Sequence, residues 1–255
     1  MNFPVTLVGT RGQMGAMFHT AWSGRHDIRV VNRTRDVAGH ASFRAEDIAA
    51  GIPHGDVVVL CIPAPAMPDA LDLFVPHLRE GQILADVCSV KINPMRWMEE
   101  QFAGSVIGTH PLFGPENARS GAKVALVRGK KASDADLERV ASLFREMDCA
   151  VFESSAEEHD SAVGITQSLH FALAAAYFDG AARHPGIAPY VTPSFLRFLN
   201  AAKSELTDNA AMFNEFTEAN PLFPDLLAEF VERLRHAGFP ERDAMVRNAQ
   251  YWYKN

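Results

Sequence analysis

Val5-Thr6-Leu7-Val8-Gly9-Thr10-Arg11-Gly12-Gln13-Met14-Gly15 is the stretch that decides the fold. Four apolar or β-branched residues run into a glycine, as a buried parallel strand does. The glycines follow a G-x-x-G-x-x-G spacing, one residue longer than the usual dinucleotide-binding turn. Gln13 to about Trp22 has the character of a helix, which Gly24 closes. Strand, glycine loop and helix in that order present free backbone N–H groups to a pyrophosphate. The bland alternative is a tight strand-to-helix turn without a ligand, and the flanking strand and helix favour the cofactor.

Working outward, residues 27–32, 56–62, 82–87, 105–108, 123–127 and 149–152 read as further strands. Pro63-Ala64-Pro65 breaks the third strand, and helices are expected over 68–78 and 134–147. This alternation predicts an α/β architecture with a doubly wound parallel sheet of Rossmann type. Beyond Glu153 the texture is helical. Ser155 and Glu158 have capping-box spacing and open a long helix that meets Pro185-Gly186. Further helical stretches begin near Pro193 and near Phe223-Pro224. The expected division is residues 1–153, a dinucleotide-binding domain, and residues 154–255, an all-helical domain.

The 255 residues are 47% hydrophobic, enough for a sizeable core, and the net charge is −7. An acidic balance argues against a general nucleic-acid binder, which would carry a basic face. Cys61, Cys88 and Cys149 form no CxxC pair, so reduced thiols in a cytoplasm are expected and neither a disulfide framework nor a metal site is. Met1-Asn2-Phe3-Pro4 has no basic segment followed by an apolar one, and no apolar run reaches membrane-spanning length.

Gly9, Thr10, Arg11, Gly12, Gln13, Met14 and Gly15 are the expected phosphate loop. The second strand ends in Asn32-Arg33-Thr34-Arg35. An acidic residue there would accept a ribose 2′-OH and repel a 2′-phosphate, whereas arginines would pair with one. Asn32, Arg33, Thr34 and Arg35, with Arg11 assisting, therefore point to NADP over NAD. Ile62 and Pro63, ending the third strand, belong to the cofactor side. The bland view of the arginines is that they are solvated loop charges.

Two further stretches carry the chemistry. Asp86-Val87-Cys88-Ser89-Val90-Lys91 follows the fourth strand, and Gly108-Thr109-His110-Pro111-Leu112-Phe113-Gly114-Pro115-Glu116 follows the next. Both lie at carboxyl ends of expected parallel strands, where open sheets bind ligands. A histidine there can accept a proton near neutral pH. Together with the glycine loop, Ser89-Val90-Lys91 and His110 to Pro115 resemble the prephenate and arogenate dehydrogenases. The resemblance runs on through Glu157-Glu158-His159-Asp160 and Gln167-Ser168-Leu169-His170-Phe171, and thins after about residue 190.

The resemblance implies that His110 takes the proton of a ring C4 hydroxyl as hydride leaves C4. It implies that Ser89 bonds the same hydroxyl and orients the histidine, and that His170, with Gln167 beside it, lines the substrate pocket. The dienone so formed expels its ring carboxylate as CO₂ and becomes aromatic. It also implies a homodimer built through the helical domain. One departure is visible: Ser204 falls where the family places a carboxylate-binding arginine, and Lys203 and Arg197 are the neighbouring cations. The sequence leaves open a C4 hydroxyl or amine, and a keto-acid or amino-acid side chain, so prephenate, arogenate and 4-amino-4-deoxyprephenate all remain candidates. The rivals are a β-hydroxyacid or imine reductase using Lys203 as proton donor, and a cofactor-binding sensor without turnover.

Overall fold

The computed structural model describes residues 2–35, 41–207, 209–236 and 242–254. The first half of the chain reads β1 (Pro4–Val8), α1 (Gln13–Trp22), β2 (Asp27–Val31), β3 (Arg33–Arg35), β4 (Ala41–Phe43), α2 (Ala45–Gly51), β5 (Val57–Leu60), α3 (Met67–Phe74), β6 (Ile83–Asp86) and α4 (Ile92–Gln101). Then follow β7 (Ser105–Pro111), β8 (Lys123–Arg128), α5 (Asp134–Arg145) and β9 (Ala150–Ser154). The helical half contains α6 (Ala156–Val163), α7 (Leu169–Ala182), α8 (Pro193–Leu206), α9 (Ala210–Ala219), α10 (Phe223–His236) and α11 (Arg242–Lys254).

Seven strands form one sheet in the order β2-β1-β5-β6-β7-β8-β9. Alternate residues of the central strands feed two cores. Val8, Val58 and Leu60 pack with Met67, Leu71 and Phe74 of α3 on one face. Val5, Leu7, Val57 and Val59 pack with Phe18 and Trp22 of α1 and Phe144 of α5 on the other. Burial on both faces explains why these strands read as unbroken apolar runs.

Three expectations need correction. The sheet is not wholly parallel, because β7 and β8 pair antiparallel, with Thr109 opposite Leu126. The link between them, residues 112–122, holds one short helical turn at Pro115–Asn117 and no crossover helix, so adjacent strands reverse direction. His110 and Pro111 do not follow their strand; they are its last two residues. The short β3–β4 pair and the helices α2 and α4 are additional elements. Pro94, which discourages a helix reading, sits near the start of α4, where the missing N–H costs nothing.

The Ser155–Glu158 capping box is present: the Glu158 N–H donates to Ser155 Oγ at 3.1 Å, and the Ser155 N–H donates to Glu158 Oε2 at 3.1 Å. The helix that it opens runs from α6 through a π-turn, Gly164–Ser168, into α7. A Cβ on Gly164 would lie 2.4 Å from Leu226 Cδ1, so glycine lets α10 close on the turn. No helix among the described residues is long and apolar enough to cross a membrane.

Candidate active site

Gly9 has φ +88°, and a Cβ there would stand 2.4 Å from the Cys61 carbonyl oxygen. A Cβ on Gly15 would stand 2.5 Å from the Gly9 carbonyl oxygen. The packing of the chain itself requires these two glycines. Gly12 differs, since a Cβ there would meet one atom within 4 Å, the Gly9 carbonyl oxygen at 3.5 Å. It is the N-cap of α1, which has no side-chain cap and no acidic residue in its first turn. Its N–H groups and dipole therefore face a cavity of about 450 Å³.

That cavity lies between the ends of β1 and β5, where the strand order reverses. Gly12 to Gly15 form one side, and Ile62 and Pro63 the other. An open cradle, uncapped N–H groups and a glycine that nothing in the protein demands all fit a dinucleotide pyrophosphate. Asn32 Nδ2 donates to Thr10 Oγ1 at 2.9 Å, so an amide closes the end of β2. Arg11 Nη1 donates to the Arg33 carbonyl at 2.8 Å, and Arg33 Nε donates to the Ala41 carbonyl at 3.1 Å. Thr34 lies between them on β3, and the Arg35 side chain is outside the described residues.

A second cavity of about 320 Å³ adjoins the first. Gln13, Met14, Val87 and Ser89 belong to both walls, whereas His110, Gln167, Glu116 and Glu205 face the second alone. Ser89 thus stands at the junction and His110 just beyond it.

Lys91 and Asp86 build the floor. Both side chains are fully buried. Lys91 Nζ donates to Asp86 Oδ2 and, at 2.8 Å, to the Thr109 carbonyl. Asp86 Oδ2 also accepts from the Cys88 N–H at 2.8 Å, and Thr109 Oγ1 donates to the Asp86 carbonyl at 2.6 Å. The Ser89 segment after β6 and the end of β7 are therefore fixed to one another from below. A Cβ on Gly108 would meet Lys91 Cδ at 3.0 Å, so the glycine before Thr109 leaves room for the lysine stem.

His110 is buried, and its Nδ1 lies 2.9 Å from His159 Nε2. His159 Nδ1 lies 2.8 Å from Asp160 Oδ1. Asp160 Oδ1 accepts from the Lys91 N–H at 2.6 Å, and Oδ2 from the Ile92 N–H at 2.9 Å, at the start of α4. Burial, then His159 and Lys91, hold the His110 imidazolium well below its ordinary pKa, so the neutral base persists. Burial and then Asp86 push the Cys61 thiol up to about 12, and Cys88 also lies well above its ordinary value. Neither sulfur is a ready nucleophile.

Other expected positions lie apart from this cluster. His170 does not belong to either cavity wall; its Nδ1 lies 3.2 Å from Glu205 Oε2. Lys203 and Arg197 are exposed, and Arg197 donates to Ser194 Oγ at 2.8 Å. Lys203 is two residues from Glu205, which turns it about 200° around the same helix. The Ser204 side chain is outside the described residues. Sequence reasoning assigned no role to His159, Asp160, Lys91, Asp86 or Glu205. The signal for the first two was a His-Asp pair one residue beyond a capping glutamate.

Comparison with known proteins places this arrangement. The profile described as prephenate dehydrogenase, nucleotide-binding domain, matches residues 23–153. The T-protein of Haemophilus influenzae is 31% identical over 170 residues, 66% of this chain and 42% of that protein. A probable arogenate/prephenate dehydrogenase of Methanocaldococcus jannaschii is 32% identical over 185 residues, 68% of this chain and 41% of that protein. The chain therefore spans about two-fifths of the length of these relatives. Prephenate dehydrogenase from Aquifex aeolicus, solved in complex with hydroxyphenyl propionate and NAD+, superposes with a TM-score of 0.75 at 21% identity, covering 97% of this chain and 92% of that one, which shows a shared fold.

Replacing Lys91 by Met should strand the Asp86 carboxylate in the core. Losing one partner of a buried pair costs about 3–5 kcal/mol. Urea unfolding should register that loss, and a change below about 1 kcal/mol would contradict the structural role given to the pair.

Proposed function

The chain belongs to the prephenate dehydrogenase family, and on that premise we propose that it oxidatively decarboxylates a prephenate-like cyclohexadienyl acid with NADP as acceptor. The observation that carries this reading is the shared wall: Ser89 borders both cavities, and His110 faces the second beside it. When bound, the nicotinamide supplies the hydride acceptor. Gly12, Gln13, Met14 and Gly15 would hold the pyrophosphate through backbone N–H groups, with Ile62 and Pro63 opposite. Arg11 and Arg33, beside the end of β2, would pair with a 2′-phosphate, and Asn32 offers no negative charge against it.

His110 takes the proton from the substrate's C4 hydroxyl or amine, and Ser89 holds that group in place. Gln167 lines the same cavity, so the three converge on one substrate. The wall carries Glu116 and Glu205 and, among its described residues, neither Lys nor Arg. That balance favours a substrate bearing an ammonium group, such as arogenate or 4-amino-4-deoxyprephenate, over prephenate itself. The division at residue 153 follows the same logic, with the residues that would hold the pyrophosphate before it and part of both cavity walls, including Asn209 and Met212, after it.

A homodimer through the helical half completes the reading. α7 has the sequence of an apolar helix, yet among its described residues Ala174 alone is buried. Leu173 and Tyr177 are exposed, with Tyr177 against Phe195 and Phe198 of α8. Such a patch marks an interface.

Turnover of prephenate, arogenate and the 4-amino analogue, each with NAD and NADP, tests the proposal. NADP should win by at least about tenfold in kcat/KM, a difference of about 1.4 kcal/mol. An amino substrate should be preferred. Equal use of NAD would overturn the cofactor reading, and inactivity on all three the functional one. His110→Asn should lower kcat by roughly 10²–10⁴, whereas a lysine-centred reductase would keep its rate. Because the pKa of His110 is depressed, kcat/KM should hold as pH falls through about 6.5 and drop only well below it. Light scattering should give twice the chain mass, and Leu173→Asp should shift it to monomer.

A further inference from the structure

The mechanism above uses one nitrogen of His110 and leaves His159 and Asp160 without a task. Both are buried, and neither lines either of the two cavities described above. Their geometry fixes where the protons sit. Asp160 accepts at both oxygens, from two backbone N–H groups, and so behaves as a carboxylate. The His159 Nδ1 facing it must then carry a hydrogen, and a neutral His159 has a bare Nε2. That nitrogen lies 2.9 Å from His110 Nδ1, which must be the donor. Nε2 of His110 is left as the basic atom available to the cavity.

We propose that His159 is a proton-sharing positioning residue that holds His110 in its Nδ1–H form and receives that proton during turnover. This rests on the functional reading above. As hydride leaves C4, the O–H bond of the C4 hydroxyl breaks and its proton joins His110 Nε2, while the O–H electron pair forms C4=O. The Nδ1 proton of His110 passes to His159 Nε2, and the positive charge comes to rest beside Asp160. When the ring–carboxylate bond breaks, its electron pair makes the ring aromatic and leaves a phenolate. The phenolate recovers the proton from His110 Nε2, and His159 returns its own to His110 Nδ1. Asp160 stays ionised throughout, and no net proton is lost. With a C4 amine, an N–H takes the place of the O–H.

The first test needs no substrate. In the full chain labelled with ¹⁵N-histidine, long-range ¹H–¹⁵N spectra report the tautomer of each ring. His110→Asn and His159→Gln spectra assign the two signals. Both rings should be Nδ1–H with bare Nε2. A His159 protonated at Nε2 in the neutral protein overturns the proposal, whatever the substrate proves to be.

The second test is kinetic. His159→Gln should lower kcat by roughly tenfold or more with KM changed less than about twofold. The solvent deuterium effect on kcat should be bowed against deuterium fraction in the native enzyme, where two protons move, and linear in the variant. A variant with unchanged kcat, or with the native bowed plot, overturns the proposal. Inactivity on every cyclohexadienyl acid would instead defeat the functional reading, and the catalytic half of this proposal with it, while the spectra still decide the tautomers.

Discussion

The Asp160 carboxylate joins the two halves of this molecule. It rises from α6, in the helical half, and receives the backbone N–H groups of Lys91 and Ile92 where the loop after β6 enters α4. Asn220, beyond α9, donates to the Asp160 carbonyl at 2.8 Å. One residue therefore caps a helix of the α/β half, orients a histidine and anchors a distant loop. Hydrogen bonds to a charged group in a buried setting are worth about 1.5–3 kcal/mol each. Their geometric effect is larger, since they fix α6 against the sheet edge and bring His159 to His110.

Beneath that contact the Asp86–Lys91 pair does a different task. A fully buried ion pair adds little net stability, because desolvation offsets the attraction. Its worth is in direction. Lys91 bridges the end of β6 and the carbonyl of Thr109 on β7, so the Ser89 loop and the His110 end of β7 are fixed by one ammonium group. The lysine does not line the second cavity, although its spacing from Ser89 is what makes the sequence stretch recognisable. Recognition from spacing singled out the stretch while leaving the lysine's physical task unread.

Legibility followed the range of the interaction. The strand–glycine–helix unit was readable because its determinants are local: strand composition, glycine spacing and helix period. The reversal at β8 was less so, because the residues of β8 itself look like any buried strand, and the information sits in a linker without a helix. The capping box at Ser155 was readable three residues at a time. His159 and Asp160 were not, because their partners are 49 and 69 residues away in sequence. Lys203 drew attention as a cation beside the position where the resemblance expects an arginine, but facing is a matter of helix phase, and the structure turns Glu205 toward the second cavity instead.

The surroundings of His110 act on its two protonation states in opposite ways. Burial, then His159 and Lys91, disfavour the imidazolium, so the resting ring is a neutral base. That alone would make a poor proton acceptor at the moment of transfer, because the same surroundings would resist the charge being made. A route for the charge to move away, through His159 toward Asp160, removes the conflict. In the proposed reaction the resting base stays neutral because the cation is unwelcome at His110, and the transition state would be reached because the cation need not remain there. Stabilisation that appears only as the proton arrives raises turnover without tightening ground-state binding. A histidine pair ending in a carboxylate achieves this in a way that a single buried histidine could not.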